Sequence, residues 1–191
     1  MSDNKISKIF DESVDIISKS KNLEKPIQQV IEKIIACFES GNKIIVFGNG
    51  GSAADSQHFA AEFVGRFLKE RDSLPAISLT TDSSILTALG NDYSFETIFS
   101  RQCESIVKKN DIVFGISTSG NSINVINGFT TAKNCGGFTI ALLGSDGGKL
   151  NKISDLSIII PSKSTPRIQE SQRIILHIIC EIVEEYFSHK K

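Results

Sequence analysis

No two cysteines in this chain stand at C-x-x-C spacing. The four, Cys37, Cys103, Cys135 and Cys180, are scattered over 191 residues, which argues against a thiolate zinc site and against a disulfide framework. They read as reduced core thiols. A basic excess is also missing. Lys and Arg number 21 against 22 Asp and Glu, a formal net charge of −1, so the charge that would neutralise phosphates along a nucleic acid is not there. No apolar run approaches the roughly 20 residues that span a bilayer. The N-terminal MSDNKISKIFDES is charged from the start and lacks an apolar h-region, so the expected location is cytoplasmic, with neither membrane nor nucleic acid as partner. Internal repeats and low-complexity segments are absent as well.

What is present suits one domain over residues 1–191 with a full core. Apolar residues recur at helical spacing from Ile6 to Ile17 and again from Ile27 to Ile35, with a break around Lys21 to Pro26, which predicts two amphipathic helices. The first precedes any strand, so its apolar face needs a partner outside a simple sandwich, and another subunit is one candidate. Short apolar runs then alternate with helical patterns at Lys43 to Phe47, Ala76 to Thr80, Ile112 to Ile116, Phe138 to Leu143 and Leu156 to Ile160. All but the second are nearly continuous in Val, Ile, Leu and Phe, as in strands buried on both faces. Helices between them imply crossovers and a parallel sheet. The expected fold is α/β, a three-layer sandwich on a five-stranded parallel sheet, with the N-terminal helices outside the sheet.

Small polar residues gather where strands should end: Gly48-Asn-Gly-Gly-Ser52, Ser117-Thr-Ser-Gly-Asn-Ser122 and Gly144-Ser-Asp-Gly-Gly148. In an open α/β sheet the ligand lies beyond the carboxyl ends of the strands, so these loops mark the functional edge. The second loop puts hydroxyls and unpaired amides at a helix N-terminus, a seat for a phosphate dianion. Plain N-capping by Ser119 or Ser122 is the simpler alternative. The first loop, with Ala53, fits G-x-G-x-x-A. Yet the acidic residue a dinucleotide site needs at the end of the second strand is missing, since Glu70 and Asp72 precede that strand and Asp82 lies too far along. The glycines therefore read as allowing close approach of a smaller ligand.

His58 and Glu62 stand one turn apart on the helix expected from Ser52 to Leu68, so an imidazole and a carboxylate share a face. By itself such a pair is more often a surface contact. On the last helix, expected from Thr165 to Phe187 with Pro166 in its first turn, Gln169, Arg173 and His177 step by four through an isoleucine-rich stretch. Alone, His177 would read as a satisfied core histidine. His189, in the polar tail Ser188 to Lys191, reads as solvated.

Taken in order, FGNGGSAADSQHFAAEFVGRF (Phe47 to Phe67), LTALGNDYSFETIFSRQ (Leu86 to Gln102), ISTSGNS (Ile116 to Ser122), ALLGSDGGKL (Ala141 to Leu150) and TPRIQESQRIILHIICEIVE (Thr165 to Glu184) resemble the phosphoheptose isomerase family of the SIS (sugar isomerase) fold. The resemblance runs over nearly the whole chain. It implies conversion of D-sedoheptulose 7-phosphate to D-glycero-D-manno-heptose 7-phosphate through a cis-enediol, the first step of ADP- or GDP-heptose biosynthesis toward lipopolysaccharide. It also implies one zinc ion per subunit, held by positions matching His58, Glu62, Gln169 and His177, and a homotetramer with active sites between subunits. Residues 1–40 would then form a helical extension packing on the domain and the interface. Substrate contacts are implied at Asn49, Gly50, Gly51, Ser52, Glu62, Asn91, Asp92, Ser117, Thr118, Ser119, Ser122 and Gln169, with the serine loop taking the phosphate.

By resemblance and by chemistry, Glu62 is the base for the carbon proton and His177 the acid. Zinc lowers the basicity of a nearby carboxylate, so either Glu62 loosens its metal contact during turnover or zinc makes the carbon proton acidic enough. Eight residues of helix rise about 12 Å, which makes Gln169 and His177 awkward joint ligands unless their side chains bend toward each other or two subunits contribute, and the second fits an interfacial site. The geometric expectation is that His58 and Glu62 meet the final helix across a subunit boundary. The alternative reading is a similar fold that binds the bacterial replication initiator without isomerase activity. The Glu62 and His177 pair argues against it.

Overall fold

The computed structural model describes residues 4–189; Met1 to Asp3, and Lys190 and Lys191 of the polar tail, lie outside the described residues. Five strands, β1 (Ile44–Gly48), β2 (Ala76–Ser78), β3 (Ile112–Ser117), β4 (Phe138–Gly144) and β5 (Leu156–Ile160), form one sheet in the order β2-β1-β3-β4-β5, every neighbouring pair parallel. All five fall where the apolar runs predict them. β1 and β3 are buried along their whole length, as their unbroken Ile, Val and Phe content requires.

One face of the sheet is covered by α2 (Glu24–Glu39), α3 (Gly51–Val64) and α8 (Thr165–Ser188), which pack Ile31, Ile34, Phe59, Phe63, Ile175 and Ile179 onto Ile44, Val46, Phe114 and Leu142. The other face carries α4 (Ser83–Asp92), α5 (Ser100–Ile106), α6 (Ile123–Asn134) and α7 (Gly148–Ile153). There Phe99, Val125 and Phe129 meet Ile45, Phe47 and Val113. Alternate residues of each strand thus serve alternate cores.

Of the N-terminal segment, α2 packs into the domain through buried Ile27, Val30, Ile31 and Ile34. Its start at Glu24 tolerates Pro26 because first-turn amides have no intrahelical partner. α1 (Asn4–Ser20) leaves Ile6, Phe10 and Val14 at least 60 % exposed. Its apolar face is uncovered in a single chain, as its position before the first strand anticipates.

One boundary differs from the sequence reading. α3 ends at Val64 rather than near Leu68, because the amides of Phe67, Leu68 and Lys69 turn away to bond the Glu184 carboxylate instead of continuing the helix.

Candidate active site

Strand order reverses between β1 and β3: the chain leaves β1 toward β2 on one side and returns to β3 on the other. A crevice at such a switch point is where open α/β sheets bind ligands. The glycine loop after β1 and the serine loop after β3 flank it. They are tied by a reciprocal amide pair in which Asn49 Nδ2 donates to Asn124 Oδ1 and Asn124 Nδ2 donates to Asn49 Oδ1, both at 2.9 Å. Asn124 is buried and was not singled out in the sequence, where nothing marks one asparagine in a helix as a staple between loops.

Within the serine loop, the Ser117 and Ser122 hydroxyls lie 3.3 Å apart, Gly120 N donates to Ser117 Oγ and Asn121 N donates to Ser119 Oγ. Ser122 occupies the N-cap position of α6, yet its hydroxyl caps no amide. The capping alternative therefore does not account for Ser122, whose hydroxyl meets that of Ser117 instead. Thr118 stands half-buried between them. The loop is braced from behind by Gly144 to Gly148. Gly120 has φ +64°, a Cβ there would collide with the Gly147 carbonyl, and Leu150 N donates to Gly120 O at 2.9 Å.

α3 and α8 both begin at this edge and run side by side in the same direction, with matched rungs. A methyl group on Gly51 would stand 2.6 Å from Gln169 Nε2. One turn on, Arg173 Nη2 pairs with the buried carboxylate of Asp55. One further turn on, His58 Nε2 lies 3.1 Å from His177 Nε2 and 3.3 Å from Glu62 Oε1. Burial pushes the His177 pKa below its ordinary value, with His58 and Arg173 adding to the effect and Glu62 opposing it. The imidazole is accordingly neutral near pH 7, able to donate at one nitrogen and accept at the other.

This arrangement corrects the expectation that His58 and Glu62 meet the final helix across a subunit boundary. His177 reaches His58 within one chain, because the parallel α3–α8 pairing brings residues about 118 positions apart to the same height. Gln169 sits two turns away from that trio, beside Gly51. Three donors, Nε2 of each histidine and Oε1 of Glu62, are of the zinc-binding kind, and two of their spacings, His58 to His177 at 3.1 Å and His58 to Glu62 at 3.3 Å, are of the size that ligands of one zinc ion show. His58 stands at the middle of the chain of contacts. Among the described residues no group of three His, Cys, Asp or Glu stands in an arrangement that could hold a metal ion in a single chain.

Other expected positions fall elsewhere. Gly50, with φ +57°, and buried Ser52 shape the first turn of α3 at the crevice. Asn91 and Asp92 are exposed at the end of α4, on the opposite face of the sheet, where Asn91 Nδ2 donates to Asp92 Oδ1 at 2.9 Å. No hydrogen bond links them to the trio. Asp82, too far along for a dinucleotide site, caps α4 by accepting from Ile85 N. His189 is exposed.

Residues 9–144 match the SIS domain family. A phosphoheptose isomerase of Aquifex aeolicus is 53 % identical over 184 residues, 95 % of each chain, and one of Helicobacter pylori is 47 % identical over the full length of both. Among solved structures, the phosphoheptose isomerase of Neisseria gonorrhoeae superposes with a TM-score of 0.91 at 39 % identity, over 95 % of this chain and 98 % of that one. The Francisella tularensis phosphoheptose isomerase does so with 0.93 at 35 %, over 97 % and 100 %. Matches of this identity and coverage, on a fold that superposes this well, show the family: the chain belongs to the phosphoheptose isomerases of the SIS-domain family, which are aldose–ketose isomerases.

Proposed function

We propose that this chain isomerises D-sedoheptulose 7-phosphate to D-glycero-D-manno-heptose 7-phosphate, entering heptose biosynthesis in the cytoplasm. The observation that carries the reading is the convergence of Glu62, His58 and His177, at 3.3 and 3.1 Å, on two helices that open onto the switch-point crevice. The reaction moves one proton from C1 to C2 and another between the two oxygens through a cis-enediol. Glu62 takes the carbon proton from C1 and returns it to C2. His177, neutral and half-buried, passes the second proton between O1 and O2. Phosphate binding by Ser117, Thr118, Ser119 and Ser122 fixes the far end of the sugar, so the reacting carbons are presented at a fixed distance. Asn49, Gly50, Gly51 and Ser52 line the near wall.

His58, Glu62 and His177 would hold one zinc ion, with Gln169, two turns away beside Gly51, the fourth ligand that the family resemblance implies. A metal bound there would supply Lewis-acid polarisation of the carbonyl, making the C1 proton more acidic. Chelation is expected to abolish activity and added zinc to restore it, whereas full activity after exhaustive chelation would remove the metal from the proposal.

A homotetramer fits the surface. The uncovered face of α1, the exposed Tyr93 and Phe95 beside Asn91 and Asp92, and an apolar groove of about 480 Å³ lined by Ile17, Ile27, Ile174 and Ile178 are surfaces that copies of the chain would bury. Assembly would also bring Asn91 and Asp92, remote from the trio in one chain, to a neighbour's crevice. Proton NMR of the purified protein with sedoheptulose 7-phosphate, with fructose 6-phosphate as control, tests the activity. Turnover of the hexose alone would overturn the substrate, and turnover of neither would overturn the function.

A further inference from the structure

Behind the Glu62 and His177 pair lies an ion pair that the mechanism above does not use. The Arg71 side chain is 1 % exposed and that of Glu184 2 %. Arg71 is spent on backbone carbonyls at the end of α3: Nη2 donates to Glu62 O at 2.6 Å, and Nη1 donates to Phe63 O at 2.6 Å, Gly65 O at 2.9 Å and Asp72 O at 3.0 Å. The final carbonyls of a helix have no intrahelical partner, so this guanidinium caps α3 from downstream. Glu184, on α8, accepts from the amides of Phe67, Leu68 and Lys69 at 2.6, 2.5 and 2.7 Å, and its Oε1 lies 3.7 Å from Arg71 Nε. The Phe67 ring, held by that first bond, packs 5.4 Å from the His177 ring.

One clamp thus touches the backbone of the base on one side and the ring supporting the acid on the other. We propose that Arg71 and Glu184 are positioning residues, a buried clamp that locks the end of α3 onto α8 and so sets the separation of Glu62 from His177. The inference rests on the reading of Glu62 and His177 as base and acid. Structural need alone would explain a buried pair that stabilises the fold. It does not by itself call for a guanidinium bonded to the carbonyl of Glu62. Lysine cannot replace the planar fork, since a single ammonium offers its donors from one point.

The test uses the full-length protein with Arg71→Lys and Glu184→Gln, and with Glu185→Gln as control, whose exposed side chain pairs with the Lys69 ammonium. In protein with an intact circular dichroism spectrum, both clamp variants are expected to lose about 10- to 100-fold in kcat, as a displacement of about 1 Å can cost, with KM within about threefold of the parent. Glu185→Gln should stay within about twofold. A loss confined to melting temperature, or one carried by KM, would show a merely structural role and overturn the proposal. Should neither variant fold, amide exchange in the parent decides. Protection of Phe67, Leu68 and Lys69 to the level of the core strands upholds the clamp, and exchange at the rate of an open loop overturns it. Glu62→Gln run in parallel separates the two readings: if it stays active the acid–base assignment has failed, and if it is dead while Arg71→Lys keeps full kcat, only the clamp has failed.

Discussion

The two ends of the crevice are built on different principles. At the end proposed for the phosphate, hydroxyls and amides come from one stretch of six residues, Ser117 to Ser122, whose shape depends on glycine and on a second loop pressed against it. At the end proposed for proton transfer, each group is a side chain on a helix. The geometry depends on the register of α3 against α8, over more than a hundred residues of sequence. A loop reads a ligand through its backbone and tolerates exchange of single hydroxyls. A helix pair reads it through a few side chains, each without substitute.

The largest effect should therefore come at the helices. Glu62→Gln and His177→Gln are each expected to lower kcat by about 10²- to 10⁴-fold, the usual range for removal of an acid or base, while circular dichroism and melting stay near those of the parent. Activity within a few-fold in either variant would erase the distinction between the two ends. Next is Gly120→Ala. A side chain there meets both a positive φ and the Gly147 carbonyl, so the serine loop must shift; KM for the sugar phosphate should rise at least about tenfold with a smaller change in kcat. Ser122→Ala removes one hydroxyl and leaves the loop intact, and a rise in KM of only about two- to tenfold is expected, the scale of one hydrogen bond.

The smallest effect on turnover is expected at the opposite edge of the sheet, where stability is at stake. Burial tends to raise the pKa of Asp111, but Lys43 Nζ at 2.5 Å together with the amides of Lys43 and Lys108 holds the carboxyl below its ordinary range. Asp155, bonded to Lys133 and Thr139, is held down in the same way, and so is Glu184. A carboxylate whose folded pKa is depressed contributes stability above its unfolded value of about 4, and that contribution is lost as pH falls through the folded value. Urea midpoints should be flat from pH 8 to 5 and fall below pH 4. Asp111→Asn should lower the plateau and flatten the fall, with kcat at pH 7.5 unchanged.

The same comparison explains what the sequence made legible. The strands could be read because unbroken Ile, Val and Phe runs suit only a sheet covered on both sides. The serine loop could be read because its chemistry is local. The rungs were half-visible: spacing of four along α8 put Gln169, Arg173 and His177 on one face, and His58 and Glu62 shared a face of α3. Nothing in either helix alone states their mutual register, so the contact of His58 with His177 within one chain replaces the meeting across subunits that helix geometry suggests. Glu184 was hidden for a related reason. A glutamate in an amphipathic helix looks solvated until the amides of Phe67 to Lys69, far upstream, are seen to converge on it. Asn124 and Asp55 are buried by tertiary contacts that no local pattern foreshadows.

α3, α6 and α8 all start at the rim where the two loops meet, so three positive helix ends are gathered around one opening. In a chain whose overall charge is nearly zero, three such ends would favour negative charge at the opening through their dipoles. A doubly charged metabolite would be drawn inward before it makes any contact, so the capture rate should slow as salt is added while a neutral sugar of the same length feels no pull.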